Sequence, residues 1–170
     1  MISEFSFEPS VIATPEPRVA SETEDPLGLL LPLRFPPGML CLDHVPASFD
    51  AVIKHFGPLG LDWYGESDEE RAGWRFTGVL ERDRETGGTW AIVVLDDATT
   101  GLHLHNPGGV YGECLITLAG ELEDVRDDGK PVTLGRGDVM FHAVNTQHDA
   151  SAPRFWVGLC HQPRGNTPMM

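Results

Sequence analysis

At 170 residues, the chain has room for one full hydrophobic core, or for one domain with a sizeable extension. Its 26 acidic residues outnumber 12 basic ones and give a formal net charge of -14. Without a basic stripe, such a surface repels a nucleic-acid backbone and an anionic membrane, so neither is an expected partner.

The opening Met-Ile-Ser-Glu-Phe-Ser-Phe-Glu has no basic segment and no long apolar run, so neither a secretory signal nor a membrane-spanning helix is expected. The three cysteines, Cys41, Cys114 and Cys160, form no Cys-x-x-Cys pair, which suits reduced thiols and a cytoplasmic location. Residues 1–37 carry Pro9, Pro15, Pro17, Pro26, Pro32, Pro36 and Pro37 among scattered acids. Proline at that density opposes helix, so an extended N-terminal arm is expected, followed by a single domain over 38–165 and a short tail at 166–170.

From Ser48 the pattern changes. Phe49, Val52, Ile53 and Phe56 recur at helical spacing between a capping serine and Gly57-Pro58, which predicts one short amphipathic helix. Residues 74–83 and 89–96 are rich in aromatic and branched side chains and flank Arg84-Glu85-Thr86-Gly87-Gly88, so they read as a hairpin. The run Ala91-Ile92-Val93-Val94-Leu95 is apolar at both parities and should be buried on both faces. Short strands are then expected at 102–105, 113–119, 121–125, 131–134, 139–142 and 154–161, separated by Gly-, Asn- and Asp-rich turns. Many short strands at this spacing predict an all-β jelly roll. The acidic runs at 68–70 and 121–124 read as solvated loops or hairpin edges.

His103 and His105 stand two apart on one strand, so both imidazoles project from the same face. Glu113 opens the next strand after a seven-residue loop, where antiparallel pairing would bring it beside them, and His148 follows the Gly137-Asp138 turn. Three imidazoles and a carboxylate suit one divalent transition metal ion: Fe(II), Mn(II), Ni(II), Co(II), Cu(II) or Zn(II). Alternation from Glu113 sends Leu115 and Thr117 inward with it, while Cys114, Ile116 and Leu118 form a second apolar face. The arm, the helix or a second subunit would have to cover that face. On the last strand His161 is a candidate acid or base lining the cavity, and Tyr111, in the loop at the mouth, could gate the site or donate a proton. Arg154 could attract a substrate carboxylate. His142, beside Met140 and Phe141, reads as structural, and His44 and His55 lie outside the pattern.

The two histidine segments resemble the paired motifs of the cupin superfamily over about residues 70–162, with the motif region at 97–152. The family's first motif is usually Gly, five residues, His-x-His, three or four residues, Glu, six residues, Gly. Here Glu113 and Gly120 keep their separation, Asp97 replaces the first glycine, and seven residues follow His105. In the second motif Gly137 and His148 keep their separation, while Ala143 replaces a proline, Asn145 the turn glycine and Ala152 the final asparagine. Asparagine tolerates the left-handed backbone such a turn requires.

The resemblance implies a double-stranded β-helix (jelly-roll, cupin-type barrel) with one short helix and an extended arm, holding its metal on His103, His105, Glu113 and His148. It also implies a possible homodimer. The activity expected first is that of a mononuclear metalloenzyme on a small organic substrate, foremost an Fe(II) dioxygenase. The alternatives are a metal-dependent isomerase or lyase, a metal or ligand sensor similar to the cupin-like domain that accompanies anti-sigma factors, and a metal-free metabolite-binding barrel. One barrel hosts all of these chemistries, so the resemblance speaks more to fold than to reaction.

Overall fold

The computed structural model describes residues 10–11, 39–68, 71–82, 88–104, 112–126, 129–143, 145–162 and 167–168. Its strands are β1 (Ser10–Val11), β2 (Asp62–Asp68), β3 (Gly73–Arg82), β4 (Thr89–Thr99), β5 (His103–Leu104), β6 (Glu113–Ala119), β7 (Leu122–Arg126), β8 (Pro131–Leu134), β9 (Asp138–His142), β10 (Gln147–Gln162) and β11 (Thr167–Pro168). The helix α1 (Phe49–Phe56) starts where the sequence places it, with the Ser48 hydroxyl accepting from the Ala51 N–H. It ends at Phe56, before Gly57-Pro58 as expected, and a separate 3-10 turn, Gly57–Leu59, follows, closed by Gly60 at φ 63°.

β10 is the spine of the barrel. Along one edge it pairs antiparallel with β5 and then β4, from His148↔His103 to Gln162↔Thr89. Along the other it pairs with β7 and then β6, from His148↔Arg126 to His161↔Cys114. β4 continues outward through β3 to β2, and β6 continues through β9 to β1. This all-β, jelly-roll architecture is the one expected, with two differences. Asp62–Asp68 is a strand although its Asp-Trp-Tyr-Gly-Glu-Ser-Asp text is acidic and mostly exposed, because it is an edge strand held by pairing with β3. β10 begins at Gln147, seven residues before the expected start, and passes Pro153 through a bulge between Ala152 and Phe155.

Strand alternation divides the core into two layers. Ala91, Val93, Leu95, Leu115, Leu122, Met140 and Trp156 form the inner layer. Ile92, Val94, Cys114, Ile116, Leu118, Val157 and Leu159 face the other way and are covered by Met39, Leu42, Val52 and Phe56. Of the three coverings considered for that outer face, helix α1 and the segment before it supply one. Phe49 seals the layer by stacking on Phe76 at 3.7 Å, edge-on to Trp63 at 5.1 Å. Burial of β4 on both faces follows, and its residues 91–95 are buried as expected.

Asp97 and Asn145, which replace motif glycines, both adopt left-handed backbone, at φ 47° and 63°. Short polar side chains bear that conformation at modest cost, so both bends survive the substitutions. The extended arm lies outside the described residues except for Ser10–Val11, which pairs parallel with Asp138 and Val139 of β9. Among the described residues no helix is long and apolar enough to cross a membrane.

Candidate metal centre

His103, Glu113 and His148 converge at the inner layer, each offering one ligand atom, all within 4.8 Å of one another. Adjacency in the sheet explains two of the three, because His103 and His148 are direct cross-strand partners on β5 and β10. Their Nε2 atoms are 3.1 Å apart, and His148 Nε2 lies 3.7 Å from a Glu113 carboxylate oxygen. Glu113 arrives by a different route from the one expected. Among the described residues β6 pairs with β9 and β10 rather than with β5, so Glu113 reaches the histidines across the barrel interior. Gly112 lets β6 approach β9 closely there, since a Cβ at that position would fall 1.7 Å from the His142 carbonyl oxygen.

Hydrogen bonds fix both rings. His103 Nδ1 lies 2.7 Å from the Gly101 carbonyl oxygen, which can only accept, so Nδ1 carries the proton and Nε2 presents its lone pair. His148 Nδ1 bonds the carboxylate of Asp124, which turns Nε2 toward His103 and Glu113. The two Nε2 atoms thus face each other across 3.1 Å, a spacing at which both can serve one cation. Burial lowers the proton affinity of His103, against the opposing effect of the Gly101 carbonyl. A metal ion fits. With bonds of about 2.1 Å, neighbouring ligand atoms lie about 3.0 Å apart in octahedral and about 3.4 Å apart in tetrahedral geometry, close to both separations found.

Asp124 is the residue sequence reasoning missed. Read as part of a solvated acidic run, it is in fact 1% exposed. It lies opposite Ala150 in the β7–β10 ladder, accepts from Arg126 Nε at 3.1 Å and holds His148. Its signal was the alternation from Leu122, which turns Leu122 and Asp124 to the same inner face. His142, read as structural, also belongs to this cluster. It is opposite Glu113 on β9, its Nε2 is 3.6 Å from Asp124, and its ring centroid is 3.8 Å from that of His148. Asp124, His142 and His148 form a second group with metal-ligand spacing.

Glu113 is buried, and the loss of solvation raises its carboxyl to about 7, with Asp124 adding to the rise and His148 opposing it. The Cys114 thiol is pushed up to about 12 and Cys160 well above its ordinary value, in both cases first by burial and then by Glu113. Neither thiol is a ready thiolate ligand.

The cluster lies on a cavity of about 260 Å³ whose walls include Val93, Leu95, Leu115, Leu122 and Trp156. Trp156 is oriented by donating from its indole N–H to the Thr117 hydroxyl at 3.2 Å. Thr117 and Leu115 point inward with Glu113, as alternation predicts. His161 is corrected. It is buried against Trp90, ring centroids 4.9 Å apart, and does not line the cavity, because cavity-facing positions of β10 have the parity of Trp156 and Cys160. Arg154 is exposed and lines a separate surface groove with Arg136 and Phe155. His105 and Tyr111, expected as a ligand and a mouth residue, lie outside the described residues. His55 Nε2 meets the Met39 carbonyl at 2.8 Å, far from the site in role.

The strands thus form an antiparallel β-barrel with a histidine–carboxylate cluster in its interior. Among solved structures, the chain is similar to a cupin 2 conserved barrel domain protein from Rhodopseudomonas palustris, with 16% identity, a TM-score of 0.51, and coverage of 64% of this chain and 74% of that one. It is also similar to a structure described for the DMSP lyases RdDddP and RnDddQII, with 13% identity, a TM-score of 0.51, and coverage of 75% and 72%. A cupin-like protein from Thermotoga maritima is 21% identical over 55% of this chain and 71% of that one, with a TM-score of 0.47. No protein-family model and no curated protein sequence matches the chain. The likeness is one of fold, a cupin-type β-barrel, and the His/Glu/Asp cluster within it can hold a metal ion.

Proposed function

We propose that this chain is a mononuclear metalloenzyme acting on a small organic substrate, with His103, Glu113 and His148 as ligands and His105 as a fourth. The observation that carries the reading is the facing pair of Nε2 atoms, each ring held by its Nδ1 bond, with a buried carboxylate beside them. Such preorganisation is what a metal site requires of its outer partners. A bound divalent ion would supply Lewis acidity and, if iron, a centre for dioxygen activation.

The protein's own part is to orient and to exclude water. Asp124 holds His148, the Gly101 carbonyl holds His103, and the apolar wall around Leu115 and Trp156 keeps solvent from the ligands. An Fe(II) dioxygenase is the first reaction this arrangement supports. A metal-dependent lyase or isomerase is the second. It is favoured by Tyr64, whose phenol lines the same cavity as Glu113, because a proton donor and acceptor together are what elimination and isomerisation need. The likeness to a structure described for DMSP lyases is compatible with that second reading.

The test is elemental analysis of protein purified without chelators, followed by oxygen-uptake screening against small organic substrates. Stoichiometric iron with substrate-dependent oxygen uptake supports the dioxygenase. Metal-dependent turnover without oxygen uptake supports the lyase or isomerase. Tightly held zinc without turnover, or no metal uptake, contradicts both.

A further inference from the structure

The cavity has a charged end that the metal site does not use. On the inner face of the barrel, β2, β3 and β4 place two cross-strand rows side by side: Tyr64, Thr77 and Val93, then Glu66, Arg75 and Leu95. All six side chains line the cavity. Arg75 is the one lysine or arginine among the described lining residues. It is held in place, since one terminal nitrogen donates to the Thr100 carbonyl at 3.1 Å. Its other terminal nitrogen bonds the carboxylate of Glu66.

We infer that the cavity takes a small carboxylic acid whose carboxylate is bound by Arg75 while its apolar body lies against Leu95, Leu115 and Leu122. The inference deepens the metalloenzyme reading, on which it rests for assigning the opposite end of the molecule to the His103–Glu113–His148 site. A guanidinium presents five donors in a planar fork matched to a carboxylate, and the bond to Thr100 leaves most of that fork unspent. Glu66 shows the mode of occupancy from within the chain: a carboxylate already sits on Arg75. The Glu66 side chain is 59% exposed, so it can turn to water and yield its place at little cost, whereas Arg75, at 35%, stays anchored.

Size and polarity agree. A volume of about 260 Å³ equals about nine waters at about 30 Å³ each, which admits a molecule of roughly ten non-hydrogen atoms. Such a molecule would span a cationic end, an apolar middle and the ligand cluster. Arg75 and that cluster line the same cavity. In a chain of net charge -14, a fixed cation inside the cavity is the feature that would draw in an anion.

The experiment titrates 4-methylpentanoate, and 4-methylpentanamide as its uncharged counterpart, into the full chain by calorimetry, in zinc-loaded and in metal-stripped forms. Wild type should bind the acid at least tenfold more tightly than the amide. Arg75→Gln should lose that preference while keeping its metal content, Arg75→Lys should recover part of it, and Glu66→Gln should bind the acid several-fold more tightly than wild type. The proposal is overturned if wild type binds neither compound, if it binds acid and amide equally, or if Arg75→Gln binds the acid as wild type does. Arg75-dependent preference in a protein that takes up no zinc would uphold the carboxylate site and sink the metal reading alone. Stoichiometric zinc without acid preference would do the reverse.

Discussion

Asp124 and His148 form the hinge of the site: a carboxylate 1% exposed, on β7, bonded to the Nδ1 of a histidine 1% exposed, on β10. The bond turns the Nε2 of His148 to the cavity, where it faces the Nε2 of His103 at 3.1 Å. Asp124 thus determines what the ligand pair can bind, without itself being in that group.

Asp124→Asn should weaken metal binding by about 10–100-fold, the usual consequence of removing an outer partner of a ligating histidine. Because Asp124 also accepts from Arg126, the variant should lose about 1–3 kcal/mol of stability yet remain folded. Competition with a chelator, read beside circular dichroism, separates the two effects.

Glu113 makes the metal-free protein pH-sensitive. Its carboxyl sits at about 7 in the folded chain against 4.5 for the ordinary group, so folding favours its protonated form. Below about pH 4.5 both states hold the proton and burial carries no penalty; as pH rises from there to 7 the penalty grows, reaching about 3 kcal/mol above 7. In chelator-treated protein, Glu113→Gln should therefore stabilise by up to that amount at pH 8 and by nearly nothing at pH 4. Equal urea midpoints for the two proteins at pH 8 would contradict this.

Much of this arrangement was legible in the sequence. Alternation through Glu113, Leu115 and Thr117 gave the inner face of β6 correctly, the spacing after Ser48 gave the helix, and of the four expected ligands His103, Glu113 and His148 come together. Asp124 was hidden because its acidic neighbours Glu121 and Glu123 are exposed, so composition outweighed the period-two signal that turns it inward. β2 was hidden because an edge strand needs no apolar face to be held by backbone pairing, and with it went Tyr64 and Glu66. Which strand would neighbour β6 could not be read at all, since a long loop permits a crossing of the barrel as readily as a hairpin. His161 fell on the outer face through the parity of β10 against Trp90, a relationship between strands 71 residues apart in sequence.

The outer layer depends on helix α1. Phe56 is fully buried among Ile92, Ile116 and Leu159, so Phe56→Ala should cost about 3–5 kcal/mol. Thermal unfolding followed by circular dichroism measures the loss. A change below 1 kcal/mol would mean that something other than the helix covers this sheet.

Thiol reactivity should divide the cysteines. Cys41 is partly exposed, whereas Cys114 and Cys160 are buried with thiols pushed far from ionisation. A disulfide reagent at pH 8 should modify one thiol quickly in the native protein and three after denaturation.

The central claim is that His103 and His148 share a metal ion. Wild-type protein, His103→Ala and His148→Ala, each reconstituted with Fe(II) or Zn(II) and desalted, are compared by inductively coupled plasma mass spectrometry, with circular dichroism confirming the fold. The account predicts about one bound ion per wild-type chain and a loss of most of it in both variants. Equal metal in all three proteins, or none in the wild type, would contradict it.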